Sequence, residues 1–321
     1  MINQKTLRNE IRASGIGLHT GFNAQISIQP APPNTGISFV RKDLDSVLEI
    51  SASVESVVDT TLSTTIGHGD VAISTIEHLM AAFAGLGVDN ALVEVNGPEI
   101  PIMDGSSAPF VFLIQSAGLV EQSSAKKFIK ISDEVGVQSA GSDTHAGLLP
   151  SDDFSLRFRI EYDHPAFYDQ SDYAAMDFSQ TAFIKNVSRA RTFGFLADYE
   201  RLKSMNLARG GSFDNTLVIG ESSVINEEGL RLKDEFVKHK MLDAIGDLFL
   251  LGHNVIGTFV GHRSGHRTNY QLAKSLIDAP QAWEYVTFEN RSELPVCYRD
   301  FYDEVPASVA EEALEPVAVA A

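Results

Sequence analysis

A histidine and two aspartates recur at every fourth position in one apolar stretch of the chain, as His239, Asp243 and Asp247. Residues four apart lie on one face of an α-helix. The residues around them form the apolar stripe of a helix packed against a core, namely Met241, Leu242, Ile245, Leu248 and Phe249. A carboxylate removed from water needs an ion-pair partner, a hydrogen bond or a bound cation. The spacing therefore indicates half of a metal site, with an ordinary i, i+4 pair on a solvated helix face as the alternative.

An earlier segment predicts a second helix that carries another histidine. Ser74 and Glu77 have the spacing of a capping box, which predicts a helix running through about Ala84 and stopping at the glycines at 85 and 87. His78 follows Glu77 directly, about 100° around the helix. Glu77 is therefore either the base beside a metal-bound water or only a capping residue.

If the two helices pack side by side, three ligands converge on one divalent metal: His78, His239 and Asp243. Three protein ligands with an open fourth position are typical of catalytic zinc, which lowers the pKa of its bound water to roughly 7. Two histidines and a carboxylate also form the facial triad of non-haem Fe(II) oxygenases. Because Cys297 is the only cysteine, neither a disulfide framework nor a Cys-based zinc motif is available.

A basic segment, residues 261–267, follows a predicted strand and gathers four potential cations: His262, Arg263, His266 and Arg267. The segment indicates either a local anion site or a solvated basic turn. A protonated histidine opposite Glu77 would stabilise an oxyanion and protonate a leaving amine, and Asp247 would hold it cationic.

The composition is that of a soluble globular protein. With 321 residues, the chain exceeds the size at which single cores usually stop growing, so two domains are expected. The net charge of −18 argues against a nucleic-acid or anionic-membrane surface. No apolar stretch is long enough to span a bilayer, and the first residues lack the apolar run of a secretory signal. We therefore expect a cytoplasmic protein.

The predicted elements indicate an α+β protein with two similar halves. The first half has strands at 24–29 and 37–40, antiparallel and joined by a turn, then the His78 helix, a strand at 90–95 and a helix at 108–117. The second half has strands at 128–131, 155–162 and 216–220, a helix at about 234–251 and a strand at 255–260. Each half thus contains a histidine-bearing helix, a glycine stop and a strand, which is the pattern an internal duplication would leave.

We expect an N-terminal α+β domain at residues 1–122 and a C-terminal α+β domain at residues 128–299. The small polar residues 123–127 are the predicted linker. Residues 300–321 are expected to form a disordered acidic tail, because from residue 303 onward they offer no aromatic side chain to bury.

Six motifs together are specific to one family: residues 15–21, 74–79, 98–105, 188–195, 239–247 and 264–266. On these motifs the chain resembles the UDP-3-O-acyl-N-acetylglucosamine deacetylases, the zinc amidases of lipid A biosynthesis, over roughly residues 1–290. The resemblance implies two similar two-layer β/α sandwich domains with the active site at their interface. It also makes the internal duplication expected.

The resemblance implies a role for each residue that matches a motif. The zinc ligands would be His78, His239 and Asp243, with Fe²⁺ as the alternative metal in the cell. The catalytic groups would be Glu77 as general base, His266 as the charge-stabilising proton donor, Asp247 as its orienting partner and Thr192 as an oxyanion donor. The substrate contacts would be Leu18, His19 and Phe195 near the acyl chain, Phe193, Lys240 and Arg263 at the sugar and phosphates, and Tyr162 stacked on uracil.

The resulting prediction is a zinc-dependent hydrolase that removes the N-acetyl group of UDP-3-O-(3-hydroxyacyl)-N-acetylglucosamine, releasing acetate and the free amine. It would act as a monomer on a small molecule, with no nucleic-acid partner and no stable membrane insertion. The alternatives are the Fe(II) oxygenase and a lipid-binding module that keeps the fold without chemistry. Glu77 and the His266 motif favour hydrolysis.

Overall fold

A computed structural model describes residues 1–45 and 48–302 and shows the α+β fold that the sequence predicts. The strands of the first half are β1 (Asn3–Leu7), β2 (Ile11–Ile16), β3 (Asn23–Pro30), β4 (Ile37–Arg41), β5 (Glu49–Ser51), β6 (Val57–Asp59), β7 (Thr65–His68), β8 (Val71–Ile73), β9 (Ala91–Val95) and β10 (Leu119–Ala125). Its helices are α1 (Glu77–Leu86) and α2 (Ala108–Ala117).

The strands of the second half are β11 (Phe128–Ile131), β12 (Val135–Gln138), β13 (His145–Leu149), β14 (Phe154–Arg159), β15 (Tyr173–Asp177), β16 (Phe193–Phe195), β17 (Leu217–Ile219), β18 (Asn254–His262) and β19 (Trp283–Val286). Its helices are α3 (Gln180–Asn186), α4 (Tyr199–Ser204), α5 (Glu235–Leu248) and α6 (His266–Ile277). Among the described residues, no helix combines the length and the apolar character needed to cross a bilayer.

The main sheet of the first half has the strand order β2-β3-β9-β4-β5. The predicted hairpin of β3 and β4 is wrong: the two strands run in opposite directions, but β9 lies between them. The connecting loop is held at the start of β9, because the Asn90 side-chain oxygen accepts the backbone N–H groups of Thr35 at 2.9 Å and Gly36 at 2.8 Å. A chain fastened there cannot make the tight turn that a hairpin needs.

The main sheet of the second half has the order β12-β13-β18-β11-β19, with β14 paired to β18 and β15 to β14. The long strand β18 is parallel to β11 and β14 and antiparallel to β13. In the first half Gly87, with a left-handed φ of 70°, directly follows α1; in the second half Gly252, with φ 82°, follows the 3₁₀ turn Phe249–Leu251 that continues from α5. An interior strand comes next in both halves. This shared order agrees with the predicted duplication, which itself stays a prediction.

The start of α1 differs from the predicted capping box. Ser74 donates its hydroxyl hydrogen to the Pro98 carbonyl at 3.3 Å rather than capping the helix. The Glu77 carboxylate instead accepts the backbone N–H of Thr64 at 3.0 Å. Thr75 lies between them with a left-handed φ of 60°. The helix also continues through Gly85 and ends at Leu86, slightly beyond the predicted end at about Ala84.

Helices α1 and α5 pack against each other through a glycine. A Cβ atom on Gly246 would lie 2.0 Å from the backbone carbonyl oxygen of Glu77, a distance that no side chain tolerates. Every residue of α1 is buried, and so is most of α5. The close contact brings the face of α1 that carries His78 against the face of α5 that carries His239 and Asp243.

The predicted linker and the first residues of the predicted tail have defined contacts in the structure. Residues 123–125 end β10, which pairs antiparallel with β1, and the Lys126 side chain is fully buried in an ion pair with Asp89 at 2.6 Å. Residues 300–302 belong to a 3₁₀ helix, Val296–Tyr302, and Phe301 is buried. The remainder of the predicted tail, residues 303–321, lies outside the described residues. The domain boundaries themselves stay a prediction.

Candidate active site

The three predicted metal ligands meet at the contact between α1 and α5. The ligand atoms of His78, His239 and Asp243 all lie within 4.8 Å of one another. Asp243 Oδ1 is 3.5 Å from His78 Nε2 and 3.3 Å from His239 Nε2. This oxygen is buried and has no hydrogen-bond partner of ordinary geometry among the described residues. A buried carboxylate oxygen that faces two imidazole nitrogens is a donor set that fits Zn²⁺.

Neighbouring groups favour the metal-binding protonation states of His239 and Asp243. His239 donates from Nδ1 to the Ala190 carbonyl at 3.0 Å, which directs Nε2 toward Asp243. Burial lowers the pKa of His239 to about 3, so the ring is neutral. Burial favours the neutral form of Asp243, but the Lys240 ammonium and the other positive charges around the site outweigh it and hold the pKa of this carboxyl well below its usual value. The Lys240 ammonium donates to Asp243 Oδ2 at 2.6 Å.

Glu77 lies beside the ligand set with a carboxyl group suited to a base. Its Oε2 accepts the Thr64 N–H, and its Oε1 is 3.8 Å from His266 Nε2. Complete burial raises the pKa of Glu77, with the charges of His266 and His78 opposing the shift. A carboxylate whose pKa moves toward neutrality is a better proton acceptor at physiological pH.

His266, the first residue of α6, is held as a cation. Its Nδ1 donates to Asp247 Oδ2 at 3.0 Å. Burial would lower the pKa of His266, but the negative charges of Asp247 and Glu77 outweigh it and raise this pKa to about 9. Asp247 also accepts from Thr64 Oγ1 at 2.6 Å and from Asn269 Nδ2 at 2.9 Å. The three donors fix Asp247 beneath the cleft, where it faces the inner side of His266.

These groups open into one cleft with a volume of about 770 Å³. The structure brings nearly all the predicted site residues to its wall: Leu18, His19, Glu77, His78, Tyr162, Thr192, Phe193, Phe195, His239, Lys240, Asp243, Arg263 and His266. Asp247 does not line the cleft and acts from behind His266. The remaining wall is rich in apolar side chains, among them Leu62, Leu196, Leu202, Phe213 and Val218. The cleft therefore offers both a polar reaction centre and an apolar channel.

The basic segment 261–267 divides among different surroundings. His266 faces Glu77, whereas Arg263 borders both the cleft and a second pocket of about 400 Å³ that Tyr162 and Glu161 also line. Arg263 is about half exposed and lies 3.5 Å from a Glu161 carboxylate oxygen. His262 is outside the cleft, between Glu161 and the exposed Asp143. Acidic neighbours therefore balance the charge of this segment outside the cleft.

The wall that carries Leu18 and His19 is fastened by a fully buried carboxylate, Glu99. Its Oε1 accepts the His19 N–H at 2.8 Å and the Thr75 hydroxyl at 2.9 Å. Its Oε2 accepts the Thr20 N–H at 2.8 Å and the Thr20 hydroxyl at 2.6 Å. Gly17 leaves room for it, since a Cβ there would lie 2.4 Å from Oε2. Glu99 thus joins the cleft wall to Thr75, which lies just before the start of α1.

Three residues of this network were absent from the sequence prediction: Thr64, Glu99 and Asn269. Asn269 had a usable signal, because it lies three positions after His266 and so shares its helix face. Thr64 and Glu99 lie outside helices and have no periodic pattern; Glu99 falls within the motif at 98–105, but only the folded chain shows what it binds.

A family model described as LpxC: UDP-3-O-acyl N-acetylglycosamine deacetylase matches residues 4–278. A curated relative from Alcanivorax borkumensis, named UDP-3-O-acyl-N-acetylglucosamine deacetylase, is 54% identical over 298 residues, covering 93% of this chain and 97% of the relative. The fold, the cleft and these similarities define a deacetylase. The chain belongs to the UDP-3-O-acyl N-acetylglycosamine deacetylase family. The family resemblance expected from the motifs is confirmed.

Proposed function

We propose that the protein is a zinc-dependent amidohydrolase that removes the N-acetyl group of UDP-3-O-(3-hydroxyacyl)-N-acetylglucosamine in lipid A biosynthesis. The observation that carries the proposal is the buried set of His78, His239 and Asp243 with Glu77 and His266 beside it in one cleft. Family membership supports the substrate class. It also favours hydrolysis over the oxygenase and over a module without chemistry.

The ligand set would hold one Zn²⁺, with Fe²⁺ as the alternative in the cell. When bound, the metal supplies Lewis-acid polarisation of the amide carbonyl and acidification of the attacking water. The protein supplies the proton transfers. Glu77 takes a proton from the attacking water while the water oxygen forms a bond to the amide carbon. The protonated Glu77 carboxyl group then keeps that proton within the buried site.

The C–N bond then breaks, and the leaving nitrogen needs a proton. His266 is cationic at neutral pH and lies 3.8 Å from Glu77, so it is placed to donate that proton. Asp247 keeps the imidazolium oriented from behind. The Thr192 hydroxyl would donate to the oxyanion that develops on the carbonyl oxygen, because the backbone N–H and C=O of Thr192 are already bound to Gly105 and Leu217. The products are acetate and the free amine.

The cleft wall accounts for the rest of the substrate. Leu18, His19 and Phe195 would border the 3-O-acyl chain, and Phe193 the sugar ring. Lys240 and Arg263 would contact the diphosphate; Lys240 has three N–H donors and commits one to Asp243. Tyr162 would stack on uracil with its outer face, since Phe167 covers the other face at a centroid distance of 4.6 Å. The protein would act in the cytoplasm as a monomer, without nucleic acid and without stable membrane insertion.

The test is acetate release from the acylated UDP-sugar, measured with and without a chelator, alongside the zinc content of the purified protein. Loss of activity on chelation and its return with zinc are expected. UDP-N-acetylglucosamine, which lacks the acyl chain, is the control substrate and should react poorly. Turnover under strict anaerobiosis separates hydrolysis from the oxygenase, which would be silent. Acetate release that resists complete removal of metal would contradict the proposal.

A further inference from the structure

A buried ion pair joins Arg191 to Glu235, the first residue of the metal-ligand helix α5. The side chain of Arg191 is 1% exposed and that of Glu235 is fully buried. Arg191 donates from Nε to Glu235 Oε1 at 2.9 Å and from Nη2 to Glu235 Oε2 at 3.3 Å. Its backbone N–H also donates to Glu235 Oε1 at 3.0 Å. Three hydrogen bonds therefore join these two residues.

The two partners are adjacent in sequence to groups of the reaction centre. Glu235 is on α5, one turn before His239, and so extends the four-residue spacing of His239, Asp243 and Asp247 by one step. Arg191 is between Ala190, whose carbonyl accepts the His239 Nδ1 hydrogen, and Thr192. The pair consequently ties the first turn of α5 to the segment that orients one metal ligand and carries the oxyanion donor.

The energetics do not explain the pair as a simple source of stability. Removing two charges from water costs several kcal/mol per ion, and well-packed apolar residues often replace a buried pair at no loss. Arg191 also donates to Glu228 Oε1 at 2.6 Å and to the Gly229 carbonyl at 2.6 Å. A guanidinium with this many directed bonds fixes the backbone on both sides of it, because each bond restricts position and angle.

We propose that Arg191 and Glu235 are positioning residues: they hold the Ala190 carbonyl against His239 and Thr192 at the cleft, and so set zinc affinity and turnover. The proposal rests on the zinc site of the proposed function. It concerns residues that do not line the cleft and do not touch the substrate. Removing the groups that hold a metal-ligating histidine in place typically changes metal affinity or activity by about 10–100-fold.

The chain offers a matched control in the buried pair of Lys126 and Asp89. Lys126 is fully buried and donates to Asp89 at 2.6 Å, and Asp89 also accepts the backbone N–H of Lys5 at 2.8 Å. Like Glu235, Asp89 is a buried carboxylate that binds one cation and a backbone N–H; Glu235 accepts a second backbone N–H, from Arg231 at 2.6 Å. Among the described residues the hydrogen-bond and ion-pair partners of the Asp89 side chain are Lys5 and Lys126, neither of which belongs to the metal site, so Asp89→Asn should lower the Tm without changing zinc affinity.

The experiment compares Glu235→Gln with Asp89→Asn in the full-length chain. Zinc Kd is measured by competition with a chelator, the Tm on the metal-free protein, and the ligand field from the visible spectrum of the Co²⁺-substituted protein. For Glu235→Gln we expect zinc binding weaker by about 10–100-fold and an altered Co²⁺ spectrum. A Glu235→Gln protein that loses Tm like Asp89→Asn, yet keeps wild-type zinc affinity and Co²⁺ spectrum, would overturn the proposal.

Two further variants keep the outcome decisive if Glu235→Gln fails to fold. Glu228→Gln removes only the partly exposed partner of Arg191 and should weaken zinc binding by a smaller factor in the same direction. Arg191→Lys keeps the positive charge but lacks the planar guanidinium, so its zinc affinity should lie between those of wild type and Glu235→Gln. Wild-type affinity in both variants would refute the positioning role. A wild-type protein that binds no zinc would refute the proposed function itself, which separates the two failures.

Discussion

Replacing Gly246 by alanine tests whether the close packing of α1 and α5 sets the geometry of the metal site. The new Cβ would lie 2.0 Å from the Glu77 carbonyl oxygen and 3.1 Å from the Ala81 nitrogen. Ordinary van der Waals contact begins at 3.4 Å, so the carbonyl must withdraw by about 1.4 Å. The atoms that must move are backbone, which cannot rotate away as a flexible side chain would.

The displacement separates His78, the neighbour of Glu77, from the two ligands on α5. Protein metal sites keep their ligand distances within about 0.2 Å, so a shift of this size exceeds the tolerance several-fold. We expect Gly246→Ala to weaken zinc binding by at least about tenfold and to cost about 1–3 kcal/mol of unfolding free energy from overpacking. Turnover should fall further, because misplacement by about 1 Å can cost about 10²-fold in rate.

The assay is chelator competition for zinc with thermal unfolding and acetate release on the same preparations. Gly136→Ala is the matched control, since a Cβ there would meet its nearest described atom, the Ala146 carbonyl oxygen, at an ordinary 3.7 Å. It should leave zinc affinity unchanged. A folded Gly246→Ala protein whose zinc affinity and rate equal those of the control would refute the argument that this helix contact positions the ligands.

The catalytic assignments lead to three further predictions. Glu77→Gln should keep zinc and lose about 10²–10⁴-fold in acetate release, because it removes only the base; a near-wild-type rate would show that another group takes the proton. His239→Ala and Asp243→Ala should each lose the metal, as measured by elemental analysis, and full zinc occupancy in either would rule out that residue as a ligand. Because the charges around His266 raise its pKa to about 9, its proton is present at neutral pH and lost as the pH rises through that value, so kcat/KM should fall above about pH 9. Asp247→Asn removes the main stabilising charge and should move this fall to lower pH; an unmoved pH profile would assign the basic limb to another group.

Much of the site followed from helix periodicity. The spacing of His239, Asp243 and Asp247 fixes them on one face, and a carboxylate on a face that borders apolar residues needs a partner. The further assumption that the two histidine-bearing helices pack side by side then identified His78 as the third candidate metal ligand. The predicted bounds of α2 and β11 also agree with the structure, because glycine and small polar residues mark their ends.

Local rules failed where contacts from distant segments override them. Ser74 and Glu77 have capping-box spacing, but Glu77 is bound to Thr64 and its carboxylate faces the cleft. The turn-rich loop after β3 looked like a hairpin, but Asn90 binds the loop and β9 enters the sheet between the two strands. Glu235 fits the same four-residue spacing as the metal ligands, yet its meaning depends on Arg191, which is 44 positions away. No pattern within one helix could reveal that partner.

The Thr64 contacts have a consequence for the order in which the protein can become active. Thr64 and Asp247 are joined by a hydrogen bond across 183 positions of sequence, and His78 reaches Asp243 over a similar separation. During synthesis, the first half therefore leaves the ribosome with only one of the three metal ligands, His78, and with the neighbouring Glu77. The other two ligands, His239 and Asp243, follow much later. A nascent chain cannot assemble the three-ligand set. Metal loading must come after synthesis of α5, so a truncated chain should carry no tightly held ion.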